Sequence, residues 1–140
     1  MPLADKENRD GLKRVETGRN TPITIFHNPG CGTSREVLGM LEGAGYRPTV
    51  VEYLKVGWTR PQLEDLFARM GVRPREALRE KNSPAEALGL LKEGVSDDAL
   101  LKAMVEHPIL VNRPIVETPR GVKLTRPVET LWDLVDRKLA

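Results

Sequence analysis

Ile23-Thr24-Ile25-Phe26-His27-Asn28-Pro29-Gly30-Cys31-Gly32-Thr33-Ser34-Arg35 runs from an apolar stretch, through a loop of small residues, into a helical pattern. The β-branched residues of Ile23–Phe26 suit a buried strand. Val37, Leu38, Leu41 and Ala44 recur on one helical face, and Gly45 supplies a stop. Thr49-Val50-Val51-Glu52-Tyr53-Leu54 then reads as a second strand. Strand, helix and strand over about 30 residues is the length of a βαβ unit, which predicts two parallel strands and a right-handed crossover.

Downstream the order changes. Thr59 with Gln62 three residues later makes a capping-box pattern, ahead of an apolar stripe of Leu63, Leu66, Phe67 and Met70 that Gly71 ends. Residues 73–91 read as short helices broken at Asn82-Ser83-Pro84. Ser96 caps a further helix, with Asp97 and Asp98 near its positive end and Leu100, Leu101, Met104 and Val105 as its buried face. His107-Pro108 closes it. Ile115–Thr118 and Val122–Leu124 flank Pro119-Arg120-Gly121 as a β-hairpin, and Pro127 opens a last helix bearing Val128, Leu131 and Val135. Residues 1 to about 21 are polar and aperiodic, and read as a disordered tail with little role in the fold.

The chain has 140 residues, enough for one domain with a sufficient core. Lysine and arginine number 22 against 20 acidic residues, a balance that argues against general nucleic-acid binding. No apolar stretch approaches the roughly 18 residues needed to span a membrane, and the N-terminus has no apolar signal core. The single cysteine cannot staple the fold, and a free thiol persists most easily in a reducing cytoplasm. Two isolated histidines and one cysteine make no recognisable metal site.

Taken alone, a lone cysteine is most often a small buried hydrophobe. The setting of Cys31 turns that reading round. It follows a strand and precedes a helix, whose N-terminus carries partial positive charge and unpaired N–H groups. The N–H groups of Gly32, Thr33, Ser34 and Arg35 would face the sulfur, and the Ser34 hydroxyl is near enough to donate to a thiolate. The same geometry is an oxyanion site. His27 either tunes the thiol by charge or supports the loop by hydrogen bonding. Arg79, Arg113 and Arg126 have side chains suited to bidentate oxyanion binding. Spacing alone leaves each of them a solvated surface charge.

His27–Arg35 resembles the active-site loop of the glutaredoxin-linked, glutathione-dependent arsenate reductases. His107-Pro108-Ile109-Leu110-Val111-Asn112-Arg113-Pro114-Ile115-Val116 resembles that family's second signature, and Leu124-Thr125-Arg126-Pro127 its third. The likeness covers about residues 22–136. It implies an α/β fold with a thioredoxin-like core, a mixed sheet and a helical insertion at about 59–107, in a single domain over 22–140. It implies Cys31 as the nucleophile that attacks arsenate. It also implies Arg79, Arg113 and Arg126 as the groups that hold the oxyanion and its adduct, with His27 and Ser34 supporting the thiolate. A cis peptide is expected at Arg113–Pro114. Nothing is expected to be bound as a cofactor; glutathione is implied as co-substrate and glutaredoxin as protein partner. Two alternatives share the fold: a glutathione-dependent thiol reductase without arsenate activity, and a non-enzymatic regulator that binds RNA polymerase. Ser34 at the third position after Cys31 disfavours the Cys-x-x-Cys switch common in such regulators.

Overall fold

The computed structural model of this chain describes residues 16–138. In chain order its elements are β1 (Thr24–His27), α1 (Gly32–Gly43), β2 (Thr49–Glu52), α2 (Tyr53–Val56), α3 (Arg60–Met70), α4 (Asp97–Glu106), β3 (Ile115–Thr118), β4 (Gly121–Leu124) and α5 (Leu131–Leu134). β1 and β2 pair in parallel, Thr24 opposite Thr49 through His27 opposite Glu52. β3 runs antiparallel along the other side of β1, and β4 completes a hairpin with it. The sheet is therefore mixed, in the order β2-β1-β3-β4.

Alternation along the strands divides the core between the two faces of the sheet. Ile25 and Val116 pack with Val37, Leu41, Leu131 and Leu134 beneath α1 and α5. Their neighbours Phe26 and Ile115 point the other way, into a larger cluster with Tyr53, Trp58, Leu63, Phe67, Leu100 and Met104. α3 and α4 cover that second face. β1 is thus buried on both sides, which is what an uninterrupted apolar run in a central strand requires.

The helix ends follow the local chemistry. The Thr59 hydroxyl accepts the Gln62 N–H at 3.2 Å, and the Gln62 side chain accepts the Thr59 N–H at 3.4 Å. Gly71 closes α3 at φ 71°, a left-handed conformation that glycine adopts at little cost. Ser96 caps α4 by accepting the Ala99 N–H.

Several expectations change. The second strand stops at Glu52, because Tyr53 curls inward to stack on Trp58 with ring centroids 5.1 Å apart. Residues 73–91 hold one 3-10 turn, Pro74–Ala77, followed by successive turns rather than helices. Val105 lies on the rim of α4 and not on its buried face. The last helix begins as a 3-10 turn, Val128–Thr130, and is α-helical only over Leu131–Leu134. The polar tail was expected to run to about residue 21, and residues 1–15 of it lie outside the described residues. Thr17 corrects the remainder. It is 3% exposed, its hydroxyl meets Tyr46 Oη, and it accepts the Asp136 N–H at 3.0 Å. Residues near both ends of the described chain are thereby tied to the end of α1.

Candidate active site

Cys31 occupies the N-cap of α1 with extended backbone, φ −103° and ψ 123°. Its N–H donates to Asn28 O at 3.0 Å, and its carbonyl accepts the Arg35 N–H at 3.0 Å. That second bond closes the first helical turn and leaves the N–H groups of Gly32, Thr33 and Ser34 without partners in the helix. The Thr33 and Ser34 N–H groups face the sulfur and favour its thiolate, without either closing a capping hydrogen bond to it. Arg35 leaves the expected set of oxyanion donors: its N–H is consumed by the helix, and its guanidinium is held by Pro29 O at 2.7 Å.

The thiol is buried, 7% exposed. Burial alone raises its pKa and is the largest single influence. The Ser34 N–H, the nearby Arg113 guanidinium and the Thr33 N–H together outweigh it, leaving the thiol below its ordinary value. Arg126 Nη1 adds a contact to Sγ at 3.9 Å.

Ser34 does not donate its hydroxyl to the sulfur as expected. The side chain is fully buried; its Oγ accepts the Asn28 N–H at 3.0 Å and lies 2.7 Å from His27 Nδ1. Ser34 therefore reaches the thiol through its backbone and braces the loop through its side chain. His27 is buried too. Burial lowers its pKa, Glu52 opposes this, and Arg35 adds to it, so the imidazole is neutral at neutral pH. Of its two expected roles, the geometry favours hydrogen-bonded support over a charge beside the thiol.

Long-range contacts bring the arginines in. An isolated antiparallel bridge pairs Leu78 with Val111. Arg79 N–H donates to Leu110 O at 2.7 Å, and Asn112 N–H donates to Ala77 O at 2.8 Å. This seam sets Arg79 beside Arg113. Thr125, fully buried, donates to Pro114 O from both its N–H and its hydroxyl, at 2.9 and 3.0 Å. That places Arg126 against the same loop, where its Nη1 donates to Arg113 O at 3.2 Å. The Arg113–Pro114 peptide is cis, as expected, and so is Arg126–Pro127.

Among the described residues none of the three arginines forms an ion pair with a carboxylate. Arg113 Nε is buried with no hydrogen-bond partner, although Nη1 donates to Asn112 Oδ1 at 3.2 Å. Burial first, and then the Arg113 charge, hold the Arg79 guanidinium below its ordinary value; the nearby Cys31 opposes this and Arg126 adds to it. Cationic groups kept together without counter-charges, one with a buried orphan donor, make a site built for an anion.

Two residues at the site carry no role in the sequence reading. Asn28 accepts the Gly30 N–H on Oδ1 at 2.9 Å. Tyr53 is buried, with its phenol facing Arg113, Arg79, Cys31 and the Asn28 side chain. Tyr53 was legible only as a strand residue, since nothing local announces that the chain curls at Glu52.

A model of the ArsC family matches residues 26–133, which span the Cys31 loop and all three arginines. This chain belongs to the ArsC family. It is similar to an arsenate reductase of Synechocystis sp., 60% identical over 81% of each chain. It is also similar to the arsenate reductase of Escherichia coli strain K12, 47% identical over 81% of this chain and 80% of the other. Among solved structures, an arsenate reductase from Vibrio cholerae superposes with a TM-score of 0.78 at 36% identity, covering 82% of this chain and 98% of that one. The mixed sheet and thioredoxin-like fold of the ArsC family are the architecture described above. Among the described residues of this ArsC chain, no group of three His, Cys, Asp or Glu side chains could hold a metal. Among the described residues no helix is long and apolar enough to cross a membrane.

The lowered thiol pKa fixes the direction of a simple measurement. Iodoacetamide reacts with the thiolate, so its rate on Cys31 rises with pH through the folded-state pKa. For this ArsC chain the midpoint is expected below that of an ordinary thiol, and below that of the same cysteine in denaturant. Coincident midpoints for folded and denatured protein would refute the electrostatic account of the site.

Proposed function

We infer that this chain reduces arsenate to arsenite, with Cys31 as nucleophile and Arg79, Arg113 and Arg126 as the oxyanion-holding groups. The observation that carries this reading is the buried Arg113 Nε. It has no partner in a site where three guanidiniums lack carboxylates beside a thiol of lowered pKa. Arsenate is a tetrahedral oxyanion that fits both the charge and the donor set. The arsenate reductases at 47–60% identity supply the substrate's name.

In the reaction, arsenate sits against the N–H groups of Gly32, Thr33 and Ser34 and the three arginines. The Cys31 thiolate forms an S–As bond while one As–O bond breaks and the oxygen leaves, protonated, as water. Donors preset for the developing charge contribute about 3–4 kcal/mol each when well placed. His27 and Ser34 keep the loop that presents the sulfur. Taking arsenic from the +5 to the +3 state needs two electrons, the number released when two thiols join as a disulfide. This chain has one cysteine, and it must end each cycle as it began. Both electrons therefore come from thiols outside the chain, glutathione attacking the adduct and glutaredoxin completing the cycle, in the reducing environment of the cytoplasm.

The test is direct. Purified protein with arsenate, glutathione, glutaredoxin and a reductant source is expected to yield arsenite, and to yield far less without glutathione. Absence of arsenite, with turnover of glutathione mixed disulfides instead, would replace this reading by the thiol-reductase alternative.

A further inference from the structure

The cysteine and the arginines sit on two loops that are far apart in sequence, and a single buried hydroxyl stands between them. On one side, the Gly30 N–H donates to Asn28 Oδ1 at 2.9 Å, which fixes the orientation of that amide. Its Nδ2 is left to face the Tyr53 phenol, on which the Asn28 side chain acts. On the other side, Tyr53 Oη donates to Val111 O at 3.5 Å. Val111 pairs with Leu78, next to Arg79, and precedes Asn112. Asn112 Oδ1 in turn accepts the Arg113 N–H at 3.1 Å and Nη1–H at 3.2 Å. Polar contacts and the chain itself thus lead from the backbone before Cys31, past Tyr53, to the segment that aims Arg79 and Arg113.

The tyrosine is also held rigidly. Its ring stacks on Trp58 at 5.1 Å, Trp58 packs on Phe26 at 5.2 Å, and Trp58 Nε1 donates to Pro108 O at 3.3 Å. An aromatic ring fixed on this scale orders one hydroxyl with little freedom to drift.

We propose that Tyr53 is a positioning residue for the reaction: its hydroxyl, set between the Asn28 amide and the Val111 carbonyl, keeps the Cys31 loop in register with the loop that carries Arg113. The proposal rests on the arsenate reading of the site. Phenylalanine keeps the ring and its stacking and removes only the link, so Tyr53→Phe isolates the effect. In the full chain this variant is expected to melt within about 5 °C of the wild type. Its Cys31 alkylation midpoint should move up toward the ordinary thiol range, as Arg113 is no longer held on the sulfur. The KM for arsenate should rise about tenfold, the size of one hydrogen bond's net contribution, with a smaller change in kcat.

Placed on an Asn28→Ala background, Tyr53→Phe should move the midpoint no further, because the link is already cut. An unshifted midpoint in the single variant overturns the proposal, with or without a fall in melting temperature. An equal shift in both backgrounds overturns it as well, because the hydroxyl would then act on the sulfur without the loop. Should the wild type make no arsenite, the arsenate reading falls, while the alkylation midpoint still decides the role of Tyr53.

Discussion

Cys31→Ser is expected to fold and to lose arsenate reduction by about 10⁴-fold or more, to the limit of the assay. The hydroxyl replaces the sulfur with little change of volume, so packing under the 7%-exposed side chain survives. The chemistry does not survive. The N–H groups of Thr33 and Ser34 and the charge of Arg113 lower the thiol's pKa from its ordinary value. An aliphatic hydroxyl starts too far above neutrality for the same groups to ionise it, and this chain has no second cysteine to take over. Arsenite production under the coupled assay, compared with the wild type at equal protein concentration, reads the effect. Turnover within tenfold of the wild type would remove Cys31 from the mechanism.

Arg113→Ala has the next largest expected effect, a fall in kcat/KM for arsenate of about 10²–10³-fold, the measured scale for deleting one preset oxyanion donor. Two losses combine here: the guanidinium leaves the oxyanion, and the thiolate loses a neighbouring positive charge that favours it. The Cys31 alkylation midpoint should therefore rise in the same variant, with no arsenate present. Arg113→Lys should recover little, because a point charge does not reproduce the planar fork. The fold should not suffer. The deleted group includes a buried orphan Nε and one member of a mutually repelling cluster, so the melting temperature is expected at or above that of the wild type. A kcat/KM within threefold of the wild type would exclude Arg113 from the oxyanion site.

What could be read without the structure was the part whose causes are local. The Thr59–Gln62 capping box, the Ser96 cap and the apolar run into Cys31 each carry their reason within a few residues, and each forms as expected. The chain curls at Tyr53 because Trp58 and the cluster under α3 take its ring, and a run of β-branched and aromatic residues cannot announce that. The Cys31 loop was legible as a reactive setting, yet the destination of Ser34 Oγ depended on His27 being turned inward. The convergence of Arg79, Arg113 and Arg126 depends on the Leu78–Val111 bridge and on Thr125 reaching Pro114 O. No periodicity encodes such contacts; only the resemblance to a family could anticipate them. Tyr53 escaped both kinds of reading, since its importance lies in what stands on either side of its hydroxyl.

The N-cap of α1 is held by a residue that caps nothing: Cys31 makes no side-chain bond to the helix end. Serine at such a position typically strengthens a helix by about 1 kcal/mol over a residue that cannot cap. The inactive Cys31→Ser protein is thus expected to be the sturdier of the two. Natural selection for durability alone would replace the cysteine, and its presence marks a position where stability has been surrendered to keep a reactive atom in front of unsatisfied amides.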